Sequence, residues 1–467
     1  MIPTSSARPT KNPPREQTLS SLSRREVLKI GGAATLASVV APTLVSCGTF
    51  IKSDAAKTTT LTITNRWSDP VARKTMTTLF TKFEQENAGV KIKNDVRPNS
   101  GDTYQPAVRT AFASSSPPDI ATNIAGPEVY NLANAGVLRD LTSFYKDQIE
   151  VRGLAGTTTG MELHNKIWGI SGGVNVGNIL WFNPDYLKKY GLDGTQVHSW
   201  DDWMQQLQTL KAKGGTPIYY GAKDLWPGGH YLNDLVQRTL GNNATSTLYN
   251  RTVLAKQPAN PKWTDAAVTE AFQKFIDLKP YFQPGYLGEA SATADAQFLS
   301  GQSGWHEMGG WLMNTILSQT PDFQPGLILF PSLPGYPGKQ SDVTIANTSL
   351  LVGKNAPWDL VQKFLLFFTR PDTVLFMVEN MNQPMPYKYE TDKVKVDAKI
   401  KTIFDTMNSM LTHAGNNGAV LYNDEAVKVD LYTKYIWQGS TALLTGSLSP
   451  TKLLQQLEND TMATGGA

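Results

Sequence analysis

Between Gly301 and Ile316 the chain reads GQSGWHEMGGWLMNTI, which sets Trp305, His306, Glu307 and Trp311 among four glycines. An indole ring with one face free is a flat apolar platform. Glycine lets another group approach the main chain closely, at a cost in conformational entropy. A carboxylate and an imidazole add directed hydrogen bonds, so the stretch has the chemistry to hold a small flat ligand. The competing reading is a strand end with core tryptophans and a turn, and these residues alone favour it.

Catalytic chemistry is not signposted. The chain has no Gly-x-Ser-x-Gly elbow and no Walker A loop, and GGVNVG at 172–177 lacks the glycine spacing of a dinucleotide site. Histidines 164, 198, 230, 306 and 413 are scattered, without a His-Glu-x-x-His pair for zinc. His306 and Glu307 are neighbours, and neighbours on a strand point to opposite faces, so His306 reads as a hydrogen-bonded histidine. The single cysteine, Cys47, leaves neither a disulfide nor a multi-cysteine metal site. No cofactor and no metal are expected. Paired carboxylates for glycoside hydrolysis need proximity in space rather than in sequence, so an exported glycoside hydrolase stays open as an alternative.

The elements that must position such residues alternate strand and helix. TLTITNRW is strand-like, and Met76, Leu79, Phe80 and Phe83 then recur at helical spacing until Gly89. VKIKNDV alternates as a second strand, and DIATNIAGPE gives a third strand with a Gly-Pro loop opening a helix. Ser199, with Asp202 three residues on, signals the start of a helix carrying Trp203, Leu207 and Leu210 on one face. NAPWDLVQKFLLFFTRPD starts a further helix near Pro357 and ends it before Pro371, with Leu360, Val361, Phe364 and Leu365 facing inward. This grammar predicts mainly parallel sheets with helices packed on them. Ligands bind such sheets at the carboxyl ends of strands, which selects Arg66, Trp67 and Asp69 after the first strand, Glu128 after the third, and the glycine-tryptophan stretch.

The chain has 467 residues, 40% hydrophobic and 18% charged, long enough for a sizeable core and more than one lobe. Its net charge of +3 is uneven: residues 1–46 hold six of the 43 basic side chains and two of the 40 acidic ones, which leaves the remainder close to neutral. No basic stripe tracks a phosphate backbone, which argues against nucleic acid as a partner. Ser23, Arg24, Arg25, Val27, Leu28 and Lys29 resemble a twin-arginine export signal, with Val27 where phenylalanine is usual. A short apolar run broken by Pro42 follows, and Leu44, Val45, Ser46, Cys47 resemble a bacterial lipobox. Residues 1–46 are thus expected to be a signal peptide and 47–57 a tether lipidated at Cys47, whose acyl chains anchor the protein at roughly 0.8 kcal/mol per buried CH₂.

Taken in order, PPDIATNIAGPEVYNLANAGVLRDL, IWGISGGVNVGNILWFNPDYLKKYGLD with SWDDWMQQLQTLKAKG, AQFLSGQSGWHEMGGWLMNTI, and VGKNAPWDLVQKFLLFFTRPDTVLFMVENMNQPMPYK resemble the extracellular solute-binding proteins of ABC importers, in the carbohydrate-binding, maltose-binding-protein-like group. The resemblance spans nearly the whole mature chain. It implies a type II periplasmic-binding-protein-like fold, two α/β lobes with the solute in the cleft between them. One lobe is expected to take residues 58–171 and 300–346, the other 172–299 and 347–461.

The resemblance also implies a site. Trp311 falls on the family's sugar-stacking tryptophan, with Glu307 and Gly309 beside it. Arg66, Trp67 and Asp69 match the first-strand loop and Glu128 the third-strand loop, while Asn175 and Asn178 sit where the chain crosses between lobes. Asp224, Trp226 and His230 match a loop that contributes an acid and an aromatic, and Tyr432 falls near another stacking position. Hydroxyl arrays favour charge-assisted hydrogen bonds, and a pyranose C–H face favours an aromatic ring. The implied protein is a monomeric, lipid-anchored, extracytoplasmic receptor that delivers a sugar, expected to be an oligosaccharide, to membrane permease subunits driven by an ATPase. Glycerol phosphate, a polyamine or a metal ion are the alternative solutes.

Overall fold

A computed structural model describes residues 58–98, 101–154, 157–254 and 257–464. The expected signal with Arg24 and Arg25, the lipidation position Cys47 and the 47–57 tether lie outside these residues. Eleven strands are formed among the described residues: β1 (Thr59–Asn65), β2 (Val90–Val96), β3 (Ile120–Ile124), β4 (Glu162–Leu163), β5 (Lys166–Ile167), β6 (Gly169–Val176), β7 (Ile179–Phe182), β8 (Trp305–Glu307), β9 (Gly326–Leu329), β10 (Val343–Val352) and β11 (Ala419–Leu421).

The first lobe is built on a six-stranded sheet in the order β11-β10-β3-β1-β2, with β6 paired to β10. β1 is buried at Leu61 and Ile63, whose side chains share one face by the two-residue period of a strand. They meet Met76, Leu79, Phe80 and Phe83 of the helix Pro70–Glu86 in one apolar core with Phe364 and Phe368 of the helix Trp358–Phe368. Phe83 and Phe364 pack edge to face at 5.3 Å. The opposite face, carrying Ala121 and Leu351, is covered by Tyr104, Val108, Phe112, Val129 and Leu132.

The second lobe holds the antiparallel sheet β8-β7-β9. Trp203 sits at the centre of its core, edge-on to Trp305, Phe330 and Trp200. The helix bearing Trp203 starts where Ser199 and Asp202 cap each other's backbone N–H groups, as the spacing predicted. The C-terminal helix Pro450–Thr464 is secured by a buried ion pair, Arg251 to Glu458 at 2.6 Å, and Glu458 also accepts from the Trp263 N–H.

Two expectations need correction. The sheets are less parallel than expected: β1 is parallel to β2 and β3, and β10 to β11, but β10 runs antiparallel to β3 and β6. The returning strand β10 enters the first sheet from the other lobe, so it runs against the strands already there. The expected lobe division also fails in part. β8 and β9, within the 300–346 stretch assigned to the first lobe, pair with β7 in the second sheet. β10 and β11 belong to the first sheet, and the helices Trp358–Phe368, Pro371–Met381 and Lys401–Asn417 contribute to the first core, although 347–461 was assigned to the second lobe. Apolar periodicity identifies a strand but not the sheet it joins. The chain therefore crosses between lobes at 176–179, at 330–343 and at 421–423.

Trp203→Ala removes a fully buried indole from a core that three other aromatic rings contact, and should cost about 3–5 kcal/mol. Denaturant unfolding followed by tryptophan fluorescence measures it; a loss below about 1 kcal/mol would mean that the second lobe does not rest on this cluster.

Candidate functional site

At the crossings, a cavity of about 150 Å³ lies between the lobes. Each wall has a local cause. β1 ends at Asn65, whose side chain accepts from the Trp67 N–H, while the Arg66 N–H donates to Thr122 Oγ1. Asp69 then caps the helix Pro70–Glu86 by accepting from the Ala72 N–H at 2.8 Å, so Arg66, Trp67 and Asp69 all reach the cleft. On the second lobe, Leu225 adopts φ of 63°, a strained left-handed turn for a branched side chain, and the helix Trp226–Leu240 follows with Pro227 in its first turn. That turn sets Trp226 and His230 on the cleft. Trp311 arrives through Gly309 and Gly310, the latter donating to Val176 O at the end of β6. A Cβ on Gly309 would lie 2.2 Å from the Trp311 ring, so only glycine lets the indole fold back over its own loop.

The rings converge. His230 stacks on Tyr422 at 3.7 Å and 11°, Trp226 meets Trp311 edge-on at 6.3 Å, and Trp311 is 6.3 Å from Tyr422. Trp67 and Trp437 complete the aromatic lining. The polar lining is unusually short of partners: Gln105 Oε1, Asn175 Oδ1, Asn314 Oδ1 and Asp424 Oδ1 are buried acceptors without a hydrogen bond, and Trp437 Nε1 and Tyr422 OH are buried without one too. Burial lowers the His230 pKa to about 3, which makes it a neutral ring at pH 7. Burial raises Asp424 to about 6 despite the opposing Arg66 charge, and raises Glu425 with help from Asp424. Burial also lowers Arg66, while Tyr104, Glu425 and Asp424 pull it back up.

Seven of the residues selected from the sequence thus line one cavity: Arg66, Trp67, Asp69, Asn175, Trp226, His230 and Trp311. Six do not. Glu128 is fully buried, both its oxygens accept from Arg109 Nη1, and its second partner is Tyr432, whose hydroxyl donates to it at 3.1 Å. Those two residues therefore satisfy each other across the lobes rather than facing the cavity. Asp224 accepts from the N–H and hydroxyl of Ser291, which fixes the turn before Trp226. Asn178 spends both ends of its amide on the crossings. Gly309 lies beneath the Trp311 ring, and Glu307 is sealed behind the cavity with neither carboxylate oxygen partnered.

The sequence reading missed Tyr422, Asp424, Glu425 and Trp437. A signal existed, since Tyr-Asn-Asp-Glu directly follows the short strand AVL, the same strand-end rule that selected Arg66. A second hollow of about 1130 Å³ lies between the helix Lys401–Asn417 and the segment 384–396, sharing Met385 with the cleft. It is lined by the first lobe alone and by none of the unpartnered polar atoms, so its size does not make it the site.

Two α/β lobes joined by three crossings around a polar, aromatic cleft define the type II periplasmic-binding fold. Solved structures share it: a chitin oligosaccharide binding protein matches with a TM-score of 0.75 and 22% identity over 88% of this chain and 99% of that one. The raffinose complex of the solute-binding protein RafE matches with a TM-score of 0.68 and 20% identity over 88% and 100%. The model of the bacterial extracellular solute-binding proteins matches residues 67–374, and the chain belongs to that family. An uncharacterized ABC transporter extracellular-binding protein of Pyrococcus horikoshii is 23% identical over 252 residues, 54% of this chain and 55% of its own length. The multiple sugar-binding protein of Streptococcus mutans is 23% identical over 270 residues, 55% of this chain and 59% of its own. The chain thus spans little more than half the length of these curated relatives.

Behind the cavity, burial pushes Asp234 up to about 8, against the pull of Arg238 and of the Asn233 side chain. A carboxyl whose folded pKa is raised binds its proton more tightly when folded, so its contribution to stability is lost as pH rises from about 4 to about 8. Asp234→Asn should therefore melt several degrees above the parent at pH 9, with the gap closing at pH 4. Equal melting curves at pH 9 would show that Asp234 carries no such strain.

Proposed function

We propose that this protein is an extracytoplasmic receptor that captures a sugar, an oligosaccharide by the company of its structural neighbours, and hands it to the permease of an ABC importer. Export through Arg24 and Arg25 and lipidation at Cys47 hold it, as a monomer, at the outer face of the membrane. The sugar lies in the interlobe cleft.

One observation carries this reading: aromatic faces and unpartnered buried acceptors share one small cavity. Four oxygens have no donor within the protein, which suits a ligand that donates, and the indole of Trp437 suits one that accepts. A hydroxyl does both. A phosphate or carboxylate ligand only accepts and would leave Gln105, Asn175, Asn314 and Asp424 unsatisfied, at about 1–3 kcal/mol for each group. The rings of Trp226, Trp311 and Tyr422 would meet the C–H faces of a pyranose, where burial contributes about 25 cal/mol per Å². Family membership and relatives named for sugar binding support the same assignment.

Purified protein incubated with mono- and oligosaccharides should show a raised melting temperature for one class and return those sugars intact. Product formation would instead make it a hydrolase, with Asp424 as the carboxyl to test. Phosphate esters, polyamines and divalent ions in the same screen should leave the melting temperature unchanged. Trp311→Ala should weaken binding of the selected sugar about tenfold, the equivalent of about 1.4 kcal/mol. Unaltered affinity in calorimetry would remove the stacking platform from the reading.

A further inference from the structure

The three crossings are fastened to a single helix. Gln237, on the helix Trp226–Leu240, accepts at Oε1 from three donors: Asn178 Nδ2 of the first crossing at 3.2 Å, Thr344 Oγ1 of β10 just after the second at 3.1 Å, and Arg238 at 2.8 Å. Asn178 also ties the first two crossings directly, accepting from the Thr344 N–H and donating to Asp342 O, both at 2.8 Å. One turn earlier, Asn233 donates to Thr344 Oγ1, and Arg238 reaches Asp342 O at 3.2 Å. The third crossing is held at the other end of the helix, where Asn423 Nδ2 donates to Gly229 O at 2.6 Å. Asn178, Asn233, Gln237 and Arg238 are fully buried, so water does not compete for these bonds.

The same helix presents Trp226 and His230 to the cleft, and Asn423 adjoins Tyr422 and Asp424 on its wall. Ligand contacts and crossing contacts are thus two ends of one rigid element.

We propose that the helix Trp226–Leu240 is the axle of lobe closure, with Gln237 as the positioning residue that holds the crossings in register and transmits ligand contact to them. This rests on the receptor reading for what the ligand is, but the axle itself is a property of the unliganded chain. Strands β6 and β10 are then the parts that turn, since β6 ends at Val176, two residues before Asn178, and β10 runs on from Thr344, where the clasp holds it. Closing the cleft moves the first sheet about an assembly that stays fixed to the second lobe.

The test separates the two claims. Spin labels at Lys93→Cys and Ala212→Cys, one exposed site on each lobe, are placed in the full chain with Cys47→Ser, and pulsed electron resonance reads the interlobe distance without ligand. Gln237→Leu and Thr344→Val should broaden that distribution, and Gln237→Glu, which keeps an acceptor, should restore it. A sugar found to bind the parent should leave the first two variants about tenfold faster. Unchanged distributions in Gln237→Leu and Thr344→Val beside lowered melting temperatures would overturn the axle and leave the network merely structural. Thr344→Val conserves volume and decides the matter if Gln237→Leu does not fold. If no sugar binds the parent, the receptor reading falls, and the distance measurement still judges the axle.

Discussion

Buried polar groups must find partners, and this protein satisfies that constraint in two opposite ways within a few residues. At the first two crossings the buried polar groups are met: Asn178, Thr344 and Asp342 pair with one another and with Gln237 and Arg238. In the cleft beside them the same kinds of atom are left without protein partners. An unpaired buried acceptor costs about 1–3 kcal/mol, so the cleft is poised for a molecule that supplies donors, and the crossings are poised to keep their geometry while it does.

The lobes already touch in this arrangement. Tyr432 donates to Glu128, the Asn347 N–H donates to Glu425, and the helix Leu312–Gln319 packs on the helix Pro70–Glu86. At Gly126 the approach is so close that a Cβ would lie 1.7 Å from the Glu425 carbonyl oxygen. These contacts are spread over both lobes: Glu425 and Tyr432 lie on helices, Asn347 lies within β10, and Leu312, Met313 and Ile316 share an apolar core with Met76 and Leu79. Arg66 of the first lobe and Asp424 and Glu425 of the second interact across the cleft.

Much of the local structure was legible from residue order. The Ser199–Asp202 cap, the helical spacing of Met76, Leu79, Phe80 and Phe83 and the inward stripe of Leu360, Val361, Phe364 and Leu365 depend on neighbours within a turn or two, and all are found. Trp311, Trp226 and Arg66 were reachable because strand ends and glycine loops mark them. Glu128 and Tyr432 were misplaced because the hydrogen bond that joins them spans 304 residues. Tyr422 and Asp424 were within reach of the strand-end rule, but the strand before them is only three residues long and carries little periodicity of its own.

What the sequence determined by itself was the alphabet of the fold: strands and helices set by periodicity, caps and turns, a composition without a phosphate-binding face, and a family resemblance in the order of segments. Tertiary structure alone decided which sheet β8, β9, β10 and β11 would join, and hence which side chains share the cleft and which disappear into the crossings. The reason is the range of the forces involved. Caps and amphipathic stripes are settled by residues a few positions apart, whereas a buried acceptor is satisfied or left waiting according to chain segments that only folding brings together.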